Sequence, residues 1–79
     1  MVTLEEARAI AEAFIDVEMR ARFPHEIVIV EYAIEDRGDA WVFPYNGRGY
    51  VERDDFNEIM LDNYPVVVDK ATGTVGYAA

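Results

Sequence analysis

Hydrophobic residues near the start of the chain recur every three or four positions, which is the repeat of an amphipathic α-helix. Thr3 can cap the N-terminus of this helix, and Glu6 stands three residues on as its capping-box partner. Pro24 disfavours helical backbone at Phe23 before it. The pattern therefore predicts one helix from Thr3 to about Ala21. Its apolar stripe comprises Leu4, Ala7, Ile10, Ala11, Phe14, Ile15 and Val17.

The middle of the chain alternates runs of β-branched and aromatic residues with turn residues, a pattern typical of β-strands with short connections. It predicts a long strand at 26–34 and a second strand at 40–45. Pro44 lies within the second run, at an edge-facing position or a bulge, because proline cannot donate to a ladder. The glycine-rich stretch 46–49 predicts a turn, and residues 50–52 a short third strand.

The C-terminal third contains a helical spacing and two further strands. Residues 53–63 have apolar positions at helical spacing behind Asp54 or Asp55 as a possible cap, which indicates one or two helical turns. Residues 65–69 form a nearly continuous apolar run, as expected of a central strand, and 74–78 form the last strand.

These elements predict a single α+β domain over residues 1–79, with one N-terminal helix packed on an antiparallel sheet of four to five strands, cystatin-like in outline. A chain of 79 residues has room for one core and buries only about 60 to 65 per cent of its unfolded surface. Because it has no cysteine, neither a disulfide nor a thiolate metal site can compensate for the small size.

Charge narrows the class of partner. Sixteen acidic and seven basic residues give a net charge of −9. Such a field repels nucleic acid and anionic membranes and favours a partner with a basic surface, although acidity could equally serve solubility alone. No apolar stretch approaches the roughly 18 residues of a membrane span, and the N-terminus lacks the apolar core of a signal peptide. We therefore expect a soluble, cytoplasmic protein.

Candidate chemistry is sparse. The chain has no serine or cysteine and one histidine, so a nucleophile with its base cannot be assembled, and we expect no enzyme activity. Asp54 and Asp55 lack the alternation of a calcium loop, and His25 lacks partners at metal-ligand spacing. We expect neither a metal nor another cofactor.

Aromatic residues are the stronger functional candidates. By period two, Trp41, Phe43 and Tyr45 share one face of the predicted second strand. They can pack on the helix, which is the favoured interpretation, or remain partly exposed as anchors for a partner. The candidate partner-binding residues are Trp41, Phe43, Tyr45, Tyr50, Glu52, Asp54, Asp55 and Tyr64.

Four stretches occur in order along the chain: LEEARAIAEAFI, WVFPYN, YVERDD and LDNYPVVVDKATGTV. Together they resemble the immunity protein 35 family of bacterial polymorphic toxin systems. The matching positions are Trp41 and Phe43 in the aromatic strand, Tyr50 and Glu52 in the next segment, Asn63 and Pro65 in an Asn-x-Pro element, and Asp69, Thr72 and Gly73 in a turn. Asp62 departs from the pattern, since the family has glycine there.

The resemblance implies a non-catalytic protein that binds and neutralises a cognate toxin, with papain-like peptidases among the associated toxins. The helix and the VVVDKATGTV stretch also resemble PepSY domains, which are peptidase-inhibitory modules. The lack of a signal peptide and the Asn63-x-Pro65 element favour the immunity family. A third possibility is a chaperone-like module that dimerises through an exposed strand edge, so the protein is expected as a monomer or a homodimer.

The stretch from Asp69 to Gly73 predicts a hairpin turn. Asp69 can accept hydrogen bonds from backbone N–H groups of the turn, and Gly73 supplies the positive φ of a type I turn with a G1 bulge. We expect Gly73→Ala to destabilise the domain by roughly 1 kcal/mol or more. Lys70→Ala is expected to leave stability nearly unchanged.

Overall fold

The N-terminal helix forms as predicted. A computed structural model describes residues 1–61 and 63–78, and its first helix, α1, spans Leu4–Ile15. The Thr3 hydroxyl accepts a hydrogen bond from the backbone N–H of Glu6, and the Glu6 carboxylate accepts one from the N–H of Thr3. The backbone then widens into a π-helical turn at Asp16–Arg20. The predicted capping box is therefore confirmed, and the predicted helix reaches Arg20 only with the π-helical turn included.

Within the described residues, six short strands and a second helix follow α1. They are β1 (Ile27–Ile29), β2 (Glu35–Asp36), β3 (Ala40–Phe43), β4 (Tyr45–Gly47), α2 (Arg48–Arg53), β5 (Val66–Asp69) and β6 (Val75–Tyr77), with 3-10 turns at Glu31–Ala33 and Phe56–Glu58. All pairings are antiparallel. The strands form a ribbon of β1 with β4 and a sheet in the order β2-β3-β5-β6. The predicted α+β class is confirmed, with the strands divided between two sheets.

The prediction of two long, uninterrupted strands at 26–34 and 40–45 is wrong. The first is interrupted after Val30 by the 3-10 turn, and the second is interrupted at Pro44. These interruptions face each other, since the N–H of Val30 donates to the Pro44 carbonyl oxygen over 2.8 Å. Because Pro44 has no N–H to continue the ladder, the hairpin bends there, and its far end becomes the separate ribbon.

The turn predicted at 46–49 and the strand predicted at 50–52 are also wrong. Gly47 ends β4 in an extended conformation, with φ −63° and ψ 136°, and the chain enters α2 directly. Arg48 pairs with Glu52 one helical turn on. The helix ends at Asp54, whose φ of 54° lies in the left-handed region. The helical turn predicted within 53–63 is confirmed at Phe56–Glu58, where the Asp55 carboxylate accepts from the N–H of Asn57.

The core lies between α1 and the inner faces of both sheets. From α1 and its π-helical extension, buried side chains enter it at intervals of four residues: Ala7, Ala11, Ile15 and Met19. Phe43 is the largest side chain that the described residues bury completely. Strand β5 lies between β3 and β6, as predicted for an apolar run, and buries Val66 and Val68. These contacts hold the helix across the sheet.

Strands β5 and β6 are joined by the turn from Asp69 to Gly73. One carboxylate oxygen of Asp69 accepts from the N–H groups of Ala71 (2.8 Å) and Thr72 (3.0 Å). Gly73 has a φ of 75°, and its N–H donates to the Asp69 carbonyl oxygen over 2.8 Å. This bond spans four residues, so the turn is one residue longer than a type I turn.

Lys70, expected to be a dispensable turn residue, is 9 % exposed. Its ammonium group pairs with the Asp36 carboxylate and lies 4.1 Å from the centroid of the Trp41 ring. The Lys70 carbonyl oxygen also accepts from the N–H of Val2, so this residue ties the turn to the N-terminus. These contacts favour a loss of stability in Lys70→Ala, in contrast to the expectation from the sequence.

Gly73→Ala should lower the free energy of unfolding by about 1 to 2 kcal/mol, because alanine is strained in the left-handed region. The nearest side-chain atoms would lie 3.6 Å from the new methyl group, so backbone strain is the expected cause. Gly73→Asn should recover part of the loss, since asparagine tolerates this conformation. Urea unfolding measures both. Equal losses in the two variants would contradict a strain origin.

Candidate partner-binding groove

A concave surface of the described residues, a groove of about 630 Å³, lies beside the end of the helical segment. Met19 and Phe23 of the helical segment line it, together with residues 58–61 and 63–64, which we call the wall segment. Ile27 and Tyr45 of the ribbon also line it, and because both are buried we call them the floor. Tyr77 of β6 completes the lining. We call this surface the apolar groove. Its size falls in the range of pockets that bury a ligand-sized group.

Polar side chains hold the wall segment against the ribbon. The Asn46 side chain accepts from the N–H of Met60 (2.7 Å) and donates to the Met60 carbonyl oxygen (3.3 Å). Asn63 donates to the Tyr45 carbonyl oxygen over 2.9 Å. The Glu58 carboxylate accepts from the N–H of Gly49 at the start of α2. The wall is thus positioned by hydrogen bonds to β4 and α2.

Exposed hydrophobic side chains concentrate at this groove. Four large ones that line it remain substantially accessible: Phe23 (46 %), Leu61 (73 %), Tyr64 (61 %) and Tyr77 (43 %). Single exposed hydrophobic residues are common on proteins, but several around one concavity are typical of an interaction surface. The groove is therefore the best candidate for a functional site in the described structure.

The predicted aromatic row lies mainly in the core. Phe43 is completely buried and Tyr45 is 4 % exposed, so neither can contact a partner broadly in the folded state. Trp41 is half-buried, and its Nε1–H donates to the Val2 carbonyl oxygen over 3.2 Å. Because α1 covers this face of the sheet, packing takes the larger part of the row. We therefore remove Phe43 and Tyr45 from the candidate contact surface, apart from the part of Tyr45 in the groove floor.

The other candidate residues lie outside the core. Tyr50 is half-buried against Phe56, with ring centroids 5.9 Å apart. Glu52 and Asp54 are exposed, and Asp55 is half-buried as the cap described above. All belong to the chain between β4 and the groove wall.

Of the predicted turn residues, Asn63 lies in the groove wall. Pro65 immediately precedes β5, and its carbonyl oxygen accepts a hydrogen bond from the N–H of Ala78. Asp69, Thr72 and Gly73 form the turn at the other end of β5. The contrast between Asp62 and the family's glycine lies outside the described residues.

Sequence reasoning missed Phe23 and Leu61 as candidate site residues. The sequence places Phe23 only as the residue before Pro24, and Leu61 only within the stretch 53–63 that predicts one or two helical turns. A hydrophobic residue outside the periodic apolar stripe of its element is only weak evidence for a binding site. It becomes informative only when the fold brings several of them together.

Most of the basic side chains form ion pairs with carboxylates. Among the described residues, six of the seven basic side chains lie within 4.0 Å of a carboxylate: Arg8, Arg20, Arg37, Arg48, Arg53 and Lys70. Arg20 also donates to the Ile27 carbonyl oxygen and so fastens the end of the helical segment to β1. Since acidic residues outnumber basic ones by sixteen to seven, the field around the molecule is negative.

Hydrogen bonds hold three carboxylates in their charged form. The backbone and hydroxyl of Thr3 lower the pKa of Glu6, the Lys70 ammonium and the Gly38 N–H lower the pKa of Asp36, and the turn N–H groups of Thr72 and Ala71 lower the pKa of Asp69. In the groove, burial raises the pKa of Tyr45 and of Tyr77, and Glu18 nearby raises that of Tyr77 further. Both phenols are therefore neutral at physiological pH.

Lowered carboxylate pKa values predict acid sensitivity. The stabilisation from Asp69 is present above its unfolded pKa of about 4 and is lost as the pH falls through the lower pKa of the folded state. Asp69→Asn keeps an acceptor oxygen but cannot ionise, so its melting temperature should fall less steeply than that of the wild type below about pH 4. Thermal melts from pH 7 to pH 2 test this. Parallel curves for the two proteins would contradict it.

Over residues 1–61 and 63–78, no three histidine or carboxylate side chains converge as metal ligands would. No helix in those ranges has both the length and the apolar character that a membrane crossing requires.

Helix, sheets and groove define a small, acidic α+β domain with an apolar concavity. The family model for immunity protein 35 matches residues 5–78, and the chain belongs to the immunity protein 35 family. This assignment decides between the two resemblances seen in the sequence, in favour of the immunity family. No curated protein and no solved structure gave a significant match.

Proposed function

We propose that this protein neutralises a cognate bacterial toxin by binding it and covering its active site, without catalysis of its own. The observation that supports this most directly is the family match over residues 5–78. The chain's lack of serine and cysteine fits a role by binding. The resemblance suggests a papain-like peptidase as one class of toxin and the cytoplasm as the place of action.

Electrostatics support a basic partner surface. Because the ion pairs leave an excess of carboxylates, the outward field favours approach of a positively charged surface and disfavours nucleic acid and anionic membranes. Such a field acts mainly on the association rate. We therefore expect exposed carboxylates near the contact surface to speed complex formation.

Co-expression tests the proposal. The toxin encoded by the neighbouring gene is expressed in bacteria with and without this protein, and the purified complex is assayed for toxin activity. We expect restored growth and an inactive toxin in a stable complex. Growth arrest despite soluble expression of both chains would refute the immunity function, and a complex in which the toxin remains active would refute neutralisation by covering the active site.

Asp54→Asn should slow association several-fold at low ionic strength and leave dissociation nearly unchanged, because it removes one exposed carboxylate beside the groove wall. Asparagine tolerates the left-handed conformation at this position, so folding should be preserved. Stopped-flow or surface-based kinetics at several salt concentrations measure the effect. Asp39→Asn, in the turn between β2 and β3, is the matched control and should change the rate less.

A dimerising protein-binding module is the second candidate. Strand β6 lies at the edge of its sheet, and residues 74–78 contain no charged side chain that would discourage pairing. The N–H of Asp69 donates to the Thr74 carbonyl oxygen, and the N–H of Ala78 donates to the Pro65 carbonyl oxygen. The backbone polar groups of the even-numbered residues therefore face β5, and those of Val75 and Tyr77 point to the open edge. Light scattering separates the candidates, since a tight homodimer would favour this one.

A further inference from the structure

We propose that the apolar groove is the docking site for a hydrophobic side chain of the toxin that is flanked by basic residues. This inference rests on the proposed function, because it names the surface and the chemistry through which the toxin is held. It assigns the main contact to the concavity between the helical segment and the wall segment, residues 58–61 and 63–64, and a supporting role to the acidic chain around α2.

The groove offers a prepared apolar site. Its floor contains Ile27, and Met19 and Met60 line its sides, so an inserted side chain would exchange water for hydrocarbon. Methionine adapts its shape to an inserted group. At the entrance, Leu61 and Tyr64 are 73 % and 61 % exposed, so they have most of their surface still to bury. Interface energy usually concentrates where such anchors meet a pocket.

Polar groups surround the entrance. Glu18 and Glu58 contribute carboxylates to the lining, Arg22 contributes a guanidinium cation, and His25 contributes an imidazole. The Glu58 carboxylate is already engaged by the N–H of Gly49 and by Arg53, whereas the Glu18 carboxylate makes no hydrogen bond or ion pair with another residue in the ranges 1–61 and 63–78. Glu18 is therefore the carboxylate available to a cation beside the inserted group.

Charge favours a toxin over a second copy of the chain. Two copies would each carry a net charge of −9, so their mutual repulsion opposes a contact that buries only a short apolar concavity. A partner with basic residues around its apolar anchor gains from the same field. The groove also lies outside the open edge of β6, apart from Tyr77, so edge pairing would not fill it.

Matched tyrosine variants test the site with the toxin itself. Tyr64→Ala and Leu61→Ala should each weaken toxin binding at least tenfold, because both remove an anchor at the entrance. Tyr32→Ala is the control: Tyr32 is 87 % exposed and does not line the groove, so its loss should change affinity less than twofold. Calorimetry measures affinity, and circular dichroism checks that each variant is folded. Unchanged affinity in both groove variants would overturn the inference while leaving the immunity function standing.

Model peptides test the site without the toxin, so that failure of this inference can be distinguished from failure of the proposed immunity function. Two blocked tetrapeptides, Lys-Leu-Phe-Lys and Glu-Leu-Phe-Glu, are titrated into the isotope-labelled protein. The lysine peptide should shift the amide signals of Phe23, Leu61 and Tyr77, and the glutamate peptide should shift them much less. Glu18→Gln should reduce the difference. Equal shifts from both peptides, shifts confined to another surface, or a homodimer that covers the groove would each overturn the inference.

Discussion

Phe43→Ala should lower the free energy of unfolding by about 3 to 5 kcal/mol, the usual cost of deleting a buried aromatic ring and leaving a cavity. Phe43 is completely buried between α1 and the sheet, where Val66 is its cross-strand partner. At about 0.05 to 0.15 kcal/mol per residue, the whole domain is stable by only about 4 to 12 kcal/mol. At the lower end of this range the variant should be largely or partly unfolded at 37 °C, and at the upper end it should stay folded with a much lower denaturation midpoint. Chemical denaturation measures the loss.

Loss of toxin binding in Phe43→Ala would then come from unfolding, since this side chain has no surface to offer a partner. Tyr32→Ala provides the comparison, because an exposed aromatic residue should cost well under 1 kcal/mol on removal. If Phe43→Ala melted like the wild type but lost toxin binding, the assignment of Phe43 to the core would be wrong.

Gly47→Ala should destabilise the domain by about 3 kcal/mol, toward the upper end of the cost of overpacking. A methyl group at this position would overlap the carbonyl oxygen of Glu58 and lie 3.0 Å from its carbonyl carbon. The obstacle is backbone, so it cannot rotate away as a side chain could. The wall segment would have to move off the ribbon, with loss of the hydrogen bonds between Asn46 and Met60.

Gly76→Ala is the matched control, because a methyl group there would meet no atom within 4 Å and the backbone is not in the left-handed region. It should be neutral or slightly stabilising, since alanine has less freedom to lose on folding than glycine. Thermal melts of both variants measure the contrast. Similar melting temperatures would mean that the close approach of Glu58 to Gly47 does not constrain this position.

The parts of the fold that the sequence predicted well are those decided by local physics. The capping box of Thr3 with Glu6 and the four-residue spacing of buried positions specify α1 without help from the rest of the chain. Residues 66–69 and 75–77 form neighbouring strands because an apolar run, a turn and a second β-branched segment follow each other directly.

The errors fall where tertiary contacts outweigh local preference. The Asn46-Gly47 pair is a common hairpin signal, yet Gly47 is needed here because the backbone of Glu58 approaches it closely. No residue near Gly47 in the sequence indicates that the backbone of Glu58, eleven positions later, contacts it. The bend at Pro44 was visible as a proline within a strand, but its partner at Val30 was not.

The candidate site was predictable only in part. Tyr64 was named from the sequence and lies at the groove entrance, whereas Phe43 and Tyr45 were named from the same aromatic pattern and lie in the core. Periodicity identifies residues that share a face, but it does not say whether another element covers that face. The groove depends on the π-helical turn, the ribbon and the wall segment meeting, which no single stretch encodes.

The groove wall and the core draw on different side chains. Leu61 and Tyr64 remain largely in water, whereas Phe43 and Val66 are sealed inside, and hydrogen bonds from Asn46 attach the wall. Substitutions at the two exposed positions can therefore change which partner fits while costing the fold little. A protein with this architecture can therefore adapt to changes on the surface of its partner by exchanging a few side chains, while its fold stays the same.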